Sequence, residues 1–249
     1  MIYRYLTFVL FLCGCSTIKV PETFVHKEIL TSEFTIASWQ KITNPQSPYK
    51  IYIEGDGYAF NTHGKISSDP TPKGTLMREL AFGDTHENVI YLARPCQYVK
   101  DRKCEKKYWS TARFSQEVLD SEYQAVKSIV LNNPVTLIGF SGGAQIAGLL
   151  AVDTDLNIKK VITIAGNLDH LSWTTYHHLP PISESLNLAD KKSKFSKIPQ
   201  HHYIGKKDNV IPPLLTQTSV ANQNLITIVP QADHGHGWKS IYSQIRNIE

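Results

Sequence analysis

Hydrophobic residues recur along this chain in short runs that alternate with longer segments of helical spacing. The short runs are typical of buried strands and are bounded by turn-forming residues. They occupy Phe24–Ile29, Glu33–Trp39, Tyr49–Ile53, Asn88–Ala93, Pro134–Ile138, Lys160–Ala165, His201–Ile204 and Leu225–Val229. Helical spacing occurs in Gly74–Phe82, Phe114–Leu131 and Ala144–Ala151, weakly near Leu214, and from Trp238 onward. A leading hairpin followed by alternating strands and helices predicts a mostly parallel, eight-stranded sheet with helices on both faces.

One sharp turn joins a predicted strand directly to a predicted helix, in the pentapeptide Gly139-Phe140-Ser141-Gly142-Gly143. A serine flanked by glycines between a strand and a helix is the sequence context of a nucleophile elbow. The serine backbone is strained there, and larger neighbours would clash where strand and helix approach each other. Free N–H groups at the start of the helix favour a developing negative charge. Ser141 is therefore a candidate nucleophile, although the same residues can also form a purely structural turn.

A serine hydroxyl needs a general base within hydrogen-bond reach, and that base needs an acid to orient it. Reactive loops of a parallel sheet lie beyond the carboxyl ends of its strands. Asp208 follows the strand His201–Ile204, and two histidines, His234 and His236, follow the last strand. Taken singly, Asp208 can be a helix cap and either histidine a surface residue. The order Ser, Asp, His behind successive strands favours one shared site.

This order of residues resembles that of the α/β-hydrolase superfamily, and the resemblance extends from about Phe24 to the C-terminus. More narrowly, the chain is similar to small bacterial lipoprotein serine hydrolases of that superfamily. The narrower similarity is carried by Glu54-Gly55-Asp56-Gly57, Arg94-Pro95-Cys96-Gln97, Tyr108-Trp109 with Arg113-Phe114, Asn167-Leu168-Asp169-His170 and Asp233-His234. The resemblance implies an α/β-hydrolase fold. The segment Leu171–Ile198 stands where relatives often insert a lid, and its polar, proline-broken sequence predicts that no large lid is present.

The resemblance also implies a reaction and the residues that perform it. The spacing beyond the last strand favours His234 over His236 as the base for Ser141, with Asp208 orienting the imidazole. The implied chemistry is acyl transfer from a small-molecule ester to the serine, followed by hydrolysis of the acyl-enzyme. No cofactor and no metal ion are implied. Peptidase or thioesterase activity, and a non-catalytic envelope lipoprotein with a hydrolase-like binding scaffold, are the alternatives.

The same resemblance places an oxyanion hole beside the serine. Its expected donors are the backbone N–H groups of Gly142 and of Asp56, with the next residues after Asp56 as alternatives for the second donor. Glu54 departs from the family pattern, because it stands where a histidine is usual and adds a carboxylate near an anion site. We expect a buried cation such as Arg94 to hold it.

The N-terminus predicts export and membrane attachment. Residues 1–15 combine an early arginine, an apolar run and small residues, as secretory signal peptides do. The run is shorter than the roughly 20 residues that span a bilayer. Leu12-Cys13-Gly14-Cys15 resembles a bacterial lipobox, which makes Cys15 the expected lipidated residue; an ordinary signal peptide with incidental cysteines is the alternative. Several acyl chains give a stable anchor, and Ser16 resembles the signal for the outer membrane facing the periplasm.

Beyond the signal peptide, we expect a tether at residues 16–23 and a single domain at residues 24–249. With 41% hydrophobic residues, 249 positions can bury a sizeable core. Cys96 and Cys104, in a polar loop of an exported chain, predict a disulfide, with free thiols as the alternative. A zinc site would need further ligands. A net charge of +4 without a basic stripe interleaved with aromatics predicts no nucleic-acid partner and leaves the oligomeric state open.

Overall fold

The computed structural model describes residues 18–220 and 222–248. In these residues the strands are β1 (Val25–Leu30), β2 (Thr35–Ile42), β3 (Tyr49–Ile53), β4 (Asn88–Leu92), β5 (Val135–Phe140), β6 (Ile158–Ile164), β7 (Gln200–Gly205) and β8 (Ile226–Val229). The helices are α1 (Leu76–Phe82), α2 (Gln116–Val130), α3 (Gly142–Asp153), α4 (His170–Tyr176), α5 (Lys192–Phe195), α6 (Pro213–Ser219) and α7 (Tyr242–Arg246). Short 3₁₀ helices occupy Lys106–Trp109, Leu188–Lys191, Gln223–Leu225 and Trp238–Ile241.

The eight strands form one sheet in the order β1-β2-β4-β3-β5-β6-β7-β8. β2 runs antiparallel to both of its neighbours, β1 and β4. All the remaining neighbours, from β4 through β3 to β8, pair in parallel. The predicted mostly parallel, eight-stranded sheet is therefore confirmed. The carboxyl ends of the parallel strands share one edge, where the candidate residues were expected.

Alternating residues of the central strands enter two separate cores. Ile51 and Ile53 of β3 pack with α2, α3 and α5 on one face of the sheet. Tyr52, between them, packs on the other face with α1 and α7. Because successive side chains of a strand point to opposite faces, both faces of β3 need a helical cover, and its five residues are all buried. The prediction of helices on both faces is confirmed.

The stretch from His170 to Ile198 contains two short α-helices that the sequence pattern did not reveal. α4 has seven residues and α5 has four, too few for a hydrophobic period to be recognised. α4 begins where the Asp169 carboxylate accepts hydrogen bonds from the N–H groups of Leu171 and Ser172. The segment lies against the body of the domain, and the prediction that no large lid is present is confirmed.

The loop after β4 is closed by a disulfide. Cys96 and Cys104 are bonded, with 5.6 Å between their Cα atoms, and the predicted pairing is confirmed. Cys15 and the rest of the predicted signal peptide, with Ser16, lie outside the described residues. Of the predicted tether, residues 18–23 belong to no helix or strand. Across the described ranges, each helix is too short or too polar to cross a membrane.

Candidate active site

Ser141 occupies the turn between β5 and α3 in an unusual backbone conformation. Its φ is +51° and its ψ is −120°, a region that residues with a side chain rarely adopt. The Ser141 N–H donates to the carbonyl of Ile164 at 3.0 Å, and its carbonyl accepts from the N–H of Asn167 at 3.0 Å. Both partners belong to the end of β6 or the loop after it. The neighbouring strand thus holds Ser141 in its strained position.

The glycines around Ser141 are required by close contacts. A Cβ atom on Gly139 would lie 2.4 Å from the carbonyl oxygen of Gly143. A Cβ on Gly143 would lie 2.4 Å from the carbonyl oxygen of Glu54, at the end of β3. A Cβ on Gly142 would lie 2.0 Å from Oδ1 of Asp56. Each distance is well below a van der Waals contact, so each glycine allows another part of the site to approach the turn.

The structure brings Ser141, His234 and Asp208 into one chain of hydrogen bonds. Nε2 of His234 lies 3.0 Å from Oγ of Ser141, and Nδ1 lies 2.9 Å from Oδ2 of Asp208. The other carboxylate oxygen of Asp208 accepts from the N–H groups of Val210 and Ile211, both at 2.8 Å. Asp208 accepts through both oxygens, so its partners assign the proton on His234 to Nδ1. Nε2 is then free to accept the Ser141 hydroxyl proton.

The second candidate base, His236, lies apart from Ser141. Its side chain is 89% exposed, and its Nδ1 lies 3.2 Å from the carboxylate of Asp233. His234 is held from behind, since Nε1 of Trp238 donates to its carbonyl at 3.3 Å. Among residues 18–220 and 222–248, no three or more His, Cys, Asp or Glu side chains are grouped to hold a metal ion.

Neither the Gly142 N–H nor the Asp56 N–H, the two predicted oxyanion donors, has an acceptor within the part of the chain that the structure describes. The peptide between Gly55 and Asp56 lies close to the serine, because a Cβ on Gly55 would be 3.2 Å from Cβ of Ser141. The alternative donor Tyr58 is occupied, since its N–H donates to the carbonyl of Pro70 at 2.9 Å. Both predicted donors are therefore free to bind an anion next to the serine.

The Asp56 side chain belongs to a buried network of charges. Its Oδ2 lies 2.7 Å from Nη1 of Arg113, and its Oδ1 lies 3.6 Å from Nη1 of Arg94. Nε of Arg94 lies 3.3 Å from Oε1 of Glu122. Burial raises the pKa of Glu122 to about 8, although the Arg94 guanidinium acts in the opposite direction. Because Glu122 is then mostly uncharged near neutral pH, two guanidinium groups face the single carboxylate of Asp56.

The expected pairing of Glu54 with Arg94 is wrong. One Glu54 oxygen accepts from the hydroxyl of Tyr91 at 2.7 Å, and the other accepts from the N–H of Gly55 at 3.0 Å. Arg94 lies beside Asp56 and Glu122 instead, 3.6 Å and 3.3 Å from their carboxyl oxygens. Burial raises the pKa of Glu54, and these hydrogen bonds only partly oppose the shift. Glu54, which stands where the family pattern has a histidine, is thus a buried carboxyl group with a raised pKa.

The serine opens into a cavity of about 540 Å³. Its wall is largely apolar, with Tyr58, Phe60, Leu76, Phe140, Trp173, Val210 and Ile211 among the lining residues. Arg113 and Lys73 supply positive charge to the same wall. Trp173 was not foreseen as a wall residue, because nothing in the sequence around it indicates that α4 turns back to the serine. The cavity can accept a ligand of moderate size next to Ser141.

Two further residues after β6 have structural roles. Asp169 accepts from the amide of Asn187 at 2.8 Å and caps α4, so it anchors the segment that follows. His170 is buried and stacked on the ring of Phe114, with 6.0 Å between the ring centroids. Neither belongs to the lining of the cavity beside Ser141.

No family model matches the sequence, and no curated protein matches it. Solved structures do match. An esterase from Pyrococcus furiosus is 16% identical, with a TM-score of 0.60 and 90% of each chain covered. Alpha/beta hydrolase domain-containing protein 10 from mouse is 14% identical, with a TM-score of 0.55 over 89% of this chain and 95% of that one. This chain has the α/β-hydrolase fold.

A serine hydrolase from Cycloclasticus zankles aligns in the same way, at 11% identity and a TM-score of 0.58 over 90% of this chain and 95% of that one. At such low identities the likeness establishes the α/β-hydrolase fold alone. Function therefore has to be inferred from the residues of the site itself. In this α/β-hydrolase fold they are Ser141 after β5, Asp208 after β7 and His234 after β8.

Proposed function

We propose that the protein is a serine hydrolase that cleaves carboxylic ester bonds through an acyl-enzyme. The observation that carries the proposal is the hydrogen-bonded chain from Ser141 through His234 to Asp208, which opens into the cavity. A serine hydroxyl is a weak nucleophile unless a base within hydrogen-bond distance can take its proton. The separations of 3.0 Å and 2.9 Å meet that requirement.

In the proposed reaction, Oγ of Ser141 attacks the ester carbonyl while Nε2 of His234 takes the hydroxyl proton. Asp208 stabilises the imidazolium that forms. The N–H groups of Gly142 and Asp56 donate to the oxyanion of the tetrahedral intermediate. Its collapse expels the alcohol, which receives the proton from His234. Water then attacks the acyl-enzyme with the same base, releasing the carboxylic acid and restoring the serine.

An ester fits the cavity better than a charged or extended peptide does. Most of the lining side chains are apolar or aromatic. Such a wall favours a small apolar acyl group. Several solved structures of the same fold are described as esterases or serine hydrolases, which adds support for this reaction class.

A fluorophosphonate probe tests the proposal. The wild-type protein should be labelled, and Ser141→Ala should not, whereas the exposed Ser196→Ala should label like wild type. On a short-chain aryl ester, His234→Ala should lower kcat by about 10⁴-fold or more, and His236→Ala should leave it nearly unchanged. Absence of labelling in folded wild-type protein would exclude the enzyme and favour a binding scaffold.

We also propose that the hydrolase is anchored in the bacterial envelope, by lipid on Cys15. The support is the signal-peptide pattern of residues 1–15 and the lipobox-like residues before Cys15. A clickable fatty acid fed to Gram-negative cells that express the protein should label the wild type. Cys13→Ser is the matched control and should remain labelled and membrane-bound, whereas Cys15→Ser should lose both properties. Equal labelling of the two variants would contradict the anchor.

A further inference from the structure

The side chain of Gln97 contacts the rear of the peptide bond that joins Gly55 to Asp56. Gln97 is 1% exposed, and its Nε2 donates to the carbonyl oxygen of Gly55 at 2.9 Å. Its own Oε1 accepts from the backbone N–H of Arg94 at 3.1 Å. Both ends of the amide are therefore used, and its orientation is fixed.

That peptide bond carries the Asp56 N–H, one of the two predicted oxyanion donors beside Ser141. The peptide is trans, so its carbonyl and its N–H point in opposite directions. Gln97 holds the Gly55 carbonyl on one side, and this contact fixes the direction of the Asp56 N–H on the other. A hydrogen bond to the carbonyl also polarises the amide, which makes its N–H a stronger donor. The contact thus acts on both the aim and the strength of the donor.

The backbone around Gln97 is held in a costly conformation. Cys96 has a φ of +67° and Tyr98 a φ of +64°, on either side of Gln97. Such values for residues with side chains persist only where the surroundings impose them. The disulfide from Cys96 to Cys104 and a 2.8 Å hydrogen bond from the Tyr98 N–H to Oγ1 of Thr71 are two of those constraints. The strained pair presents the buried amide to Gly55.

We propose that Gln97 is a positioning residue that aims the Asp56 N–H at the oxyanion formed on Ser141. The proposal rests on the proposed hydrolase function, because it assigns Gln97 a role in the same reaction. Gln97 touches no reacting atom, and its effect passes through the Gly55–Asp56 peptide. Its loss should therefore weaken binding of the tetrahedral state more than binding of the ester.

The test compares Gln97→Met with Gln200→Met. Gln200 is the matched control, since it is buried and donates to the carbonyl of Phe195 at 2.8 Å, in a region outside the lining of the serine's cavity. For Gln97→Met we expect kcat per fluorophosphonate-titrated site to fall about 10- to 100-fold, with KM within about twofold. Affinity for a trifluoromethyl ketone, which forms a tetrahedral adduct, should fall by the same factor as kcat/KM. Gln200→Met should keep kcat per titrated site.

Counting titrated sites separates positioning from folding, because a merely structural role lowers the number of active molecules and not the rate of each. Gln97→Leu, which also removes the donor and adds no charge, serves if Gln97→Met does not fold, and the same losses are expected. A wild-type rate per titrated site in the folded variant overturns the role of Gln97 and leaves the hydrolase intact. Wild-type protein that neither labels nor hydrolyses the ester overturns both.

Discussion

The turn at Ser141 and the loop after β3 meet at the same point but are built in different ways. Residues 139–143 contain three glycines and no charged side chain. Residues 54–57 contain two carboxyl groups, and both Glu54 and Asp56 have most of their surface covered. The turn can form because its glycines have no side chains that would collide with neighbouring atoms. The loop depends on hydrogen bonds and ion pairs with distant parts of the chain.

This difference determines how each region can fail. An added atom in the turn collides with backbone that cannot move aside, as the 2.4 Å contacts of Gly139 and Gly143 indicate. A lost partner in the loop leaves a carboxylate or a carbonyl uncompensated next to a developing anion. The first failure is steric and affects the fold together with the site. The second is electrostatic and affects the transition state.

The largest effect is expected from Gly143→Ala. Helix propensity alone favours alanine by about 1 kcal/mol, but the new Cβ would lie 2.4 Å from the Glu54 carbonyl. We expect the collision to dominate, lowering the free energy of unfolding by about 1–3 kcal/mol and removing almost all esterase activity. Gly235→Ala is the control for stability, because its added Cβ meets nothing within 4 Å. Denaturant unfolding and ester hydrolysis measure both; equal stability of the two variants would contradict the steric account.

A smaller effect is expected from Arg113→Gln, which leaves the Asp56 carboxylate facing the oxyanion with only the more distant Arg94 to compensate it. We expect kcat to fall about 10- to 100-fold with little change in KM, since only the transition state carries the new charge. Asp56→Asn keeps the backbone donor and removes the negative charge. The double variant should therefore recover most of the lost kcat.

A double-mutant cycle decides whether charge is the cause. If the double variant is as slow as Arg113→Gln alone, Arg113 acts on the shape of the loop. The electrostatic account of the loop after β3 is then wrong. Thermal unfolding of all four proteins shows whether stability changes in parallel with kcat.

The smallest effect is expected from Glu54→Gln. The pKa of Glu54 in the fold is raised from 4.5 by burial, so above that pH the folded protein binds more protons than the unfolded chain. The wild-type free energy of unfolding should therefore decline as pH rises from 4.5 toward the raised pKa, and the variant should lack this decline. Denaturant unfolding at about pH 4.5 and pH 8 measures how much the free energy of unfolding changes in each protein. An identical pH dependence in both proteins would show that the fold does not raise the pKa of Glu54.

The strands and the turn at Ser141 could be predicted from sequence because their causes are local. β3 is a run of buried residues, and the glycines needed for the turn adjoin the serine. Asp208 and His234 could be found because each follows a strand, and parallel strands end at one edge. The choice of His234 over His236 needed the family resemblance.

The partners of the loop after β3 could not be predicted. The ion pair of Asp56 with Arg113 joins residues 57 positions apart, and the contact of Gln97 with Gly55 spans 42. Nothing local distinguishes these side chains from solvated ones. The same limit explains why Arg94 was assigned to Glu54, since a buried cation near two carboxyl groups does not reveal which one it contacts.

The wall residue Trp173 has a consequence for how ligands are selected. Its indole N–H donates to the carbonyl of Val210 at 2.7 Å, and further along, the N–H of Leu186 donates to the carbonyl of Phe114 at 2.9 Å. The segment from Trp173 to Leu186, beside the cavity, is thus hydrogen-bonded to the rest of the domain at both ends. A ligand that enters does not have to order a loose cover, so that part of the cost of binding is absent. Discrimination between substrates then depends on the fixed shape of a preformed cavity.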